Sequence, residues 1–177
     1  MELQRKYDDL VEKSKEQSTN FHENYSSIAS EMRQRELKRN NLIIVGLPEG
    51  VDGSVSDRRQ NDMTKCAEIF EVLGSSDVVI EKSMRVGKVR SDNKRLLRVT
   101  LTNEAQKYEL LKQSRTLRGS AKFKEIFIQP DLTYAQRQTD FHLRRELRSR
   151  RENGEDVIIH KGKIVERGSQ SGFRNGF

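Results

Sequence analysis

Between Lys82 and Arg98 the chain carries Lys82, Arg85, Lys88, Arg90, Lys94, Arg95 and Arg98 against one carboxylate, Asp92. Cations at that density cannot neutralise one another, and a polyanion whose phosphates accept from guanidinium forks and ammonium groups is the complementary partner. A second set lies further on. At about 100° per residue, Arg137, Arg144, Arg148 and Arg151 fall within about 60° of arc and make an arginine stripe on one helix. Arg115 and Arg118 form a third basic point, in the last turn of another helical segment. Catalytic chemistry is not marked out: there is no glycine-rich phosphate loop with its lysine, no His-Glu-x-x-His and no nucleophile with a base beside it. His22, His142 and His160 are scattered and Cys66 is the single cysteine, so the residues point to no metal site, no cofactor and no enzyme.

The elements that position these cations follow from periodicity. From Leu3 to Arg35 the spacing alternates between four and three residues through Leu3, Tyr7, Leu10, Ser14, Gln17, Phe21, Asn24, Ile28, Glu31 and Arg35, the seam of a heptad repeat. Half of those ten are polar, so the segment 1–39 reads either as a weak coiled coil, with Leu3, Tyr7, Leu10, Phe21 and Ile28 as its oligomerisation contacts, or as a solvated single helix. Heptads already run at Met1, which suggests the end of a longer coil.

Leu42 to Leu47, closed by Pro48 and Gly50, reads as a short central strand. Ser56 or Asp57 then caps a helix with Met63, Cys66, Ala67, Phe70 and Leu73 on its apolar face, and Gly74 ends it. Val78 to Ile80 open a second strand running to Met84 and Val86, Gly87 to Asn93 make a polar turn region, and Lys94 to Leu101 form a third strand with Leu97, Val99 and Leu101 on one face. Asn103 and Gln106 start a helix carrying Ala105, Tyr108 and Leu111, and Ile126, Phe127 and Ile128 are a fourth strand ended by Pro130.

The predicted order β-α-β-β-α-β over 40–130 is the split βαβ, ferredoxin-like arrangement of RNA-recognition motifs, so the fold class is α+β. Laid on that motif, Ile43, Leu96 and Arg98 occupy the positions where base-stacking aromatics are expected. A sheet without those rings is expected to grip phosphates rather than read sequence.

Past Pro130, Thr133 and Gln136 predict a capping box, Asn153-Gly154 a stop, and Lys161-Gly162 the turn of a hairpin, giving a small helix-plus-hairpin domain over 131–167. Tyr134 and Phe141 read as core of that domain. The helix and hairpin are expected to dock on the four-stranded domain, and the Gly, Ser and Asn-rich segment 168–177 reads as a flexible tail. Residues 1–39 carry no net charge, 40–130 carry 16 Lys and Arg against 12 Asp and Glu, and 131–177 carry 10 against 7, so the whole excess of +7 lies beyond the coil.

These segments resemble a known family, the first open-reading-frame proteins of LINE-type non-LTR retrotransposons and their domesticated relatives. The resemblance rests on KRNNLIIVGLPE (38–49), KRLLRVTLTNEAQKYELLKQSRTLRG (94–119), IFIQPDLTYAQR (126–137) and VIIHKGKIV (157–165). It implies a trimeric coiled coil, an RNA-recognition-motif domain and a small C-terminal domain that together coat a transcript as a nucleic-acid chaperone. Its implied partners are single-stranded RNA and DNA, in cytoplasmic ribonucleoprotein particles or the nucleus, with no membrane. By that resemblance Arg39, Arg95, Arg98, Arg115 and Arg118 would line the nucleic-acid path, although Ile43 stands where some relatives carry a basic residue; Lys38, basic and next to Arg39 at the edge of the first strand, is a further nucleic-acid-binding candidate. Reversing Arg95 and Arg98 to Glu is expected to abolish binding with the fold intact. The competing class is a coiled-coil adaptor that recruits proteins and has no nucleic-acid role.

Overall fold

The computed structural model describes residues 1–50, 53–88 and 94–167. The chain is α+β, with a long N-terminal helix and a four-stranded antiparallel sheet, and it divides into two compact units, Met1–Asp131 and Leu132–Phe177. No helix among the described residues is long and apolar enough to cross a membrane.

Helix α1 (Glu2–Leu37) runs for 36 residues, about 54 Å at 1.5 Å per residue. Its i,i+4 pairs Glu2–Lys6 and Glu31–Arg35 lie at 3.0 and 2.7 Å. Leu3, Tyr7, Leu10, Phe21 and Ile28 are all exposed on it. The turn Lys38-Arg39-Asn40 then fastens the helix end to the sheet. Lys38 Nζ donates to Asp131 at 2.7 Å, Arg39 Nε donates to Glu104 at 2.6 Å, and the Lys107 ammonium donates to the Arg39 carbonyl. Burial pulls the Lys107 ammonium down from its ordinary value, yet the bond to that carbonyl gives the buried charge a partner.

Strand β1 (Asn41–Val45) leads to α2 (Val55–Val72), β2 (Ile80–Val86), β3 (Leu96–Leu101), α3 (Glu104–Gln113), a 3-10 turn (Ser114–Gly119) and β4 (Phe127–Pro130), and the sheet order is β2-β3-β1-β4. One face of the sheet packs Leu42, Ile44, Leu97, Val99, Leu101 and Ile128 against Cys66, Ile69 and Phe70 of α2 and Leu110 of α3. Helix α2 starts earlier than the sequence suggests. Ser54 is its cap: the Ser54 hydroxyl accepts from the Asp57 amide while Asp57 accepts from the Ser54 amide, a reciprocal box that outcompetes Ser56 and Asp57 as caps. Its inner stripe is Asp62, Cys66, Ile69, Phe70 and Leu73, with Ala67 outside. Cys66 is buried, and desolvation with Asp62 nearby pushes its thiol up to about 12, so it is an unreactive thiol. Helix α3 buries Lys107 and Leu110 instead of Ala105 and Tyr108, because Lys107 reaches the α1 terminus.

Strand β2 departs furthest from its hydrophobic pattern. A bulge between Ile80 and Lys82 flips the face: Ile80 pairs with Leu101 on the core side, whereas Lys82, Met84 and Val86 pair with Thr100, Arg98 and Leu96 on the open side. Ser83 and Arg85 therefore point inward. The Arg85 side chain is 6% exposed and uses all five N–H groups, donating to Asp62 Oδ2 and Oδ1 at 2.9 and 2.6 Å, to the Leu47 and Arg95 carbonyls at 2.8 Å each, and to the Pro48 carbonyl at 3.3 Å.

In the second unit, α4 (Tyr134–Glu152) starts at a complete Thr133/Gln136 capping box and packs on the hairpin β5 (Val157–His160) and β6 (Lys163–Glu166). Lys161 and Gly162 both have positive φ, at 47° and 74°, as a two-residue hairpin turn of this twist requires. Leu143 and Leu147 are the half-buried apolar residues of α4, on a stripe with Gln136, Asp140 and Arg150, and Val157 is fully buried.

Asp62→Ala leaves the Arg85 guanidinium buried without its carboxylate and is expected to cost about 3–5 kcal/mol of stability, read by urea unfolding. A loss under 1 kcal/mol contradicts the central role given to this pair.

Candidate nucleic-acid interface

The face of the sheet turned away from α2 and α3 is laid out in three rows by strand register. Lys82, Thr100 and Asn41 form the first, Met84, Arg98, Ile43 and Gln129 the second, and Val86 beside Leu96 with Val45 beside Phe127 the third. No ladder position on this face holds a carboxylate. Lys82 is exposed and Arg98 half-buried, so the face is cationic at one end and centre, and apolar at the other. Phe127 is half exposed there. The sequence reading grouped it with Ile126 and Ile128 in one apolar run; alternation turns those two inward and Phe127 outward, and that period of two was the signal available.

The basic residues separate by what they already hold. Arg98, at the centre of the open face, makes no hydrogen bond or ion pair among the described residues, and the same is true of Lys88, Arg115, Arg118 and Arg148, which are exposed. Arg85 is the reverse case and corrects the sequence expectation. Its place in the basic stretch 82–98 suggests a surface cation, but the β2 bulge turns it into the interior, where the protein satisfies it completely. Arg95 forks onto Glu49, with side chains 20% and 12% exposed, and also donates to the Gly87 carbonyl at 3.3 Å. It braces the entry of β3, so reversing it to Glu would not leave the fold intact as the sequence reading expected. Lys38 and Arg39 sit at the α1 junction on Asp131 and Glu104, and Lys94 lies 3.9 Å from Glu125 at an exposed site. Arg90 lies outside the described residues.

The positions along the sheet also differ. Helix α3 begins just after β3 ends, so Lys38, Arg39 and Glu104 gather at that end. The 3-10 turn that bears Arg115 and Arg118 contacts β4 and lies at the opposite end, where β3 and β4 begin and Lys94 stands. Strands of this length separate the ends by about 15 Å.

On α4, Arg137, Arg144, Arg148 and Arg151 share one side, as their spacing predicts, but they are unequally engaged. Arg144 pairs with Asp140 at 2.8 Å, Arg137 donates to the Leu132 carbonyl at 2.7 Å, and Arg151 donates from Nε and Nη2 to the Val157 carbonyl at 3.0 and 2.9 Å. Tyr134 and Phe141 are not core: they are 71% and 60% exposed. A helix resting on only two strands has one narrow inner face, and Gln136, Asp140, Leu143, Leu147 and Arg150 occupy it, leaving no place for either ring.

No family model matches the chain, and no curated protein matches it.

The fork from Arg95 holds the Glu49 carboxyl below the ordinary glutamate value of 4.5. A carboxyl with a lowered folded value contributes its full stability above the ordinary value and loses it as pH falls through the folded one. Glu49→Gln is therefore expected to reduce stability by about 2 kcal/mol at pH 7, with the difference from wild type closing as pH drops below the ordinary glutamate range. Urea unfolding across that pH series checks it; a difference independent of pH contradicts the pairing. At pH 7 Arg95→Glu is expected to lower the melting temperature and Arg98→Glu to leave it unchanged.

Proposed function

We propose that the protein binds single-stranded RNA and DNA with little sequence preference and acts as a nucleic-acid chaperone that coats a retrotransposon transcript. The observation that carries this reading is Arg98, a guanidinium at the centre of the outer sheet face with no carboxylate at the ladder positions beside it; the carboxylate at the edge of that face, Asp131, is held by Asn41 and Lys38. Folded proteins pair their partly buried cations, as this one does at Arg85, Arg95 and Lys38, so an unpaired one on a concave or flat face is complemented by an external anion. Lys82, Lys88 and Lys94 surround the same strands and supply point charges that track a backbone.

The strand order β2-β3-β1-β4, with a helix in each crossover, supports the ferredoxin-like, RNA-recognition-motif reading of 40–130. Ile43 and Leu96 in place of rings support tolerance of sequence, since phosphate contacts carry no base information. The exposed apolar residues of α1 support assembly through that helix into a trimer, the state the family resemblance implies; a lone helix that polar gains nothing from leaving Tyr7, Leu10, Phe21 and Ile28 in water.

Binding to a single-stranded RNA of about 30 nucleotides is expected to weaken linearly in log K against log salt, equally for an unrelated sequence, and less tightly for a duplex. Arg98→Gln is expected to reduce that slope by about 0.7 and Arg98→Glu to weaken binding at least ten-fold in a folded protein. Salt-indifferent or absent binding transfers the reading to a protein-recruiting adaptor. Deleting residues 1–36 is expected to yield a monomer by sedimentation; a full chain that already sediments as a monomer at high concentration removes the trimer.

A further inference from the structure

Helix α4 has two faces with different chemistry. One carries Leu143 and Leu147 onto the hairpin. The other carries Tyr134, Phe141 and Arg148 in a single row at i, i+7 and i+14, with Arg137, Arg144 and Arg151 in the row beside it. The two rings stand about 10 Å apart, two turns of helix. Both are largely in water although a helix of this composition has ample polar residues to put there.

Together the two rows have the spacing of a heptad seam, and that spacing decides what can cover them. An apolar partner helix packed on it would bury Arg137, Arg144 and Arg148 together, three desolvated cations with the single carboxylate of Asp140 among them. A surface that offers flat π-faces and anions together does not incur that cost. Single-stranded nucleic acid is such a surface: bases stack on aromatic rings, and arginines beside them take the phosphates. Two of the cations on this face, Arg144 and Arg148, are available for exchange, while Arg137 and Arg151 are held by backbone carbonyls. Arg148 has no partner among the described residues, and the Arg144–Asp140 pair at 2.8 Å is exposed, so a phosphate can replace the carboxylate at little loss. Glu152, a turn beyond Arg148, marks where the cationic row ends.

We propose that the outward face of α4 is a second single-strand site in which Tyr134 and Phe141 stack unpaired bases while Arg144 and Arg148 hold the flanking phosphates. The inference rests on the nucleic-acid reading above and adds to it a contact with bases, which the sheet's Ile43 and Leu96 do not supply by stacking. Because every base has a π-face, such a site prefers unpaired strands without selecting sequence.

The test uses the full chain and two probes of equal length, a single-stranded RNA of about 30 nucleotides and an abasic ribose-phosphate strand that keeps the phosphates and lacks the bases. Tyr134→Ala and Phe141→Ala are each expected to weaken RNA binding about ten-fold, to leave the salt slope unchanged, and to leave binding to the abasic strand unchanged. Arg148→Gln is expected to lower the slope with both probes. Tyr134→Trp introduces the only tryptophan of the chain and is expected to retain affinity, with emission quenched by RNA and not by the abasic strand. Equal losses on both probes, or none on RNA, overturn the stacking site while wild-type binding to RNA persists. Wild-type protein that binds neither probe overturns the nucleic-acid reading itself.

Discussion

The ion pair between Asp62 and Arg85 is the constraint on which the larger unit depends. A carboxylate on the inner stripe of α2 and a guanidinium on the inner side of β2 are each intolerable alone in that environment, since an unpaired buried charge costs several kcal/mol. Together they reach beyond each other. The remaining N–H groups of Arg85 collect the carbonyls of Leu47 and Pro48, where β1 ends, and of Arg95, where β3 begins. One side chain thus ties a helix, a strand and two chain crossings, and the Pro48 carbonyl among them accepts from Lys65 as well, at 3.1 Å. It also dictates the β2 register. With Arg85 committed inward, the bulge at Glu81 sends Met84 and Val86 outward, and the open face acquires apolar side chains that hydrophobic patterning would place in the core.

That inversion sets the division of labour among the cations. Arg85, Arg95 and Lys38 are parts of the scaffold, each fixed on a carboxylate that positions a chain crossing. Arg98 sits one ladder step from Met84 and from Ile43 with nothing acidic beside it on the face. Net charge alone describes both groups equally, yet only the second is free to answer an external anion. The cationic surface open to an external anion is therefore smaller than the basic stretch, and the fold is more dependent on arginine than its composition suggests.

Much of this was legible beforehand. The β-α-β-β-α-β order of elements, the alternation of Leu97, Val99 and Leu101, the Thr133 capping box and the Lys161-Gly162 turn all follow from local chemistry that the rest of the chain does not override. What was not legible depended on pairs distant in sequence. Asp62 spoils an amphipathic helix pattern until Arg85 is known to face it, and Lys107 looks like a surface lysine until the Arg39 carbonyl arrives above it. Tyr134 and Phe141 failed for a different reason. Aromatics on a helix normally mark its buried side, but a two-stranded partner covers only the width that the stripe of Leu143 and Leu147 already fills. Among the site residues, Arg98 was placed correctly by strand alternation, Arg85 was misplaced by a bulge that no propensity announces, and Phe127 was hidden within an apolar run.

The junction at Lys38-Arg39-Asn40 has a mechanical consequence. Helix α1 passes into β1 through three residues whose flanks are clamped by Asp131, Glu104 and Lys107, and β1 is an interior strand held by β3 on one side and β4 on the other. A pull directed along β1 from that junction loads two hydrogen-bonded ladders in parallel. Peeling an edge strand breaks its bonds one after another, whereas sliding a central strand requires many to yield together. Torque applied to the helix would accordingly reorient the whole sheet rather than dissipate in a flexible hinge.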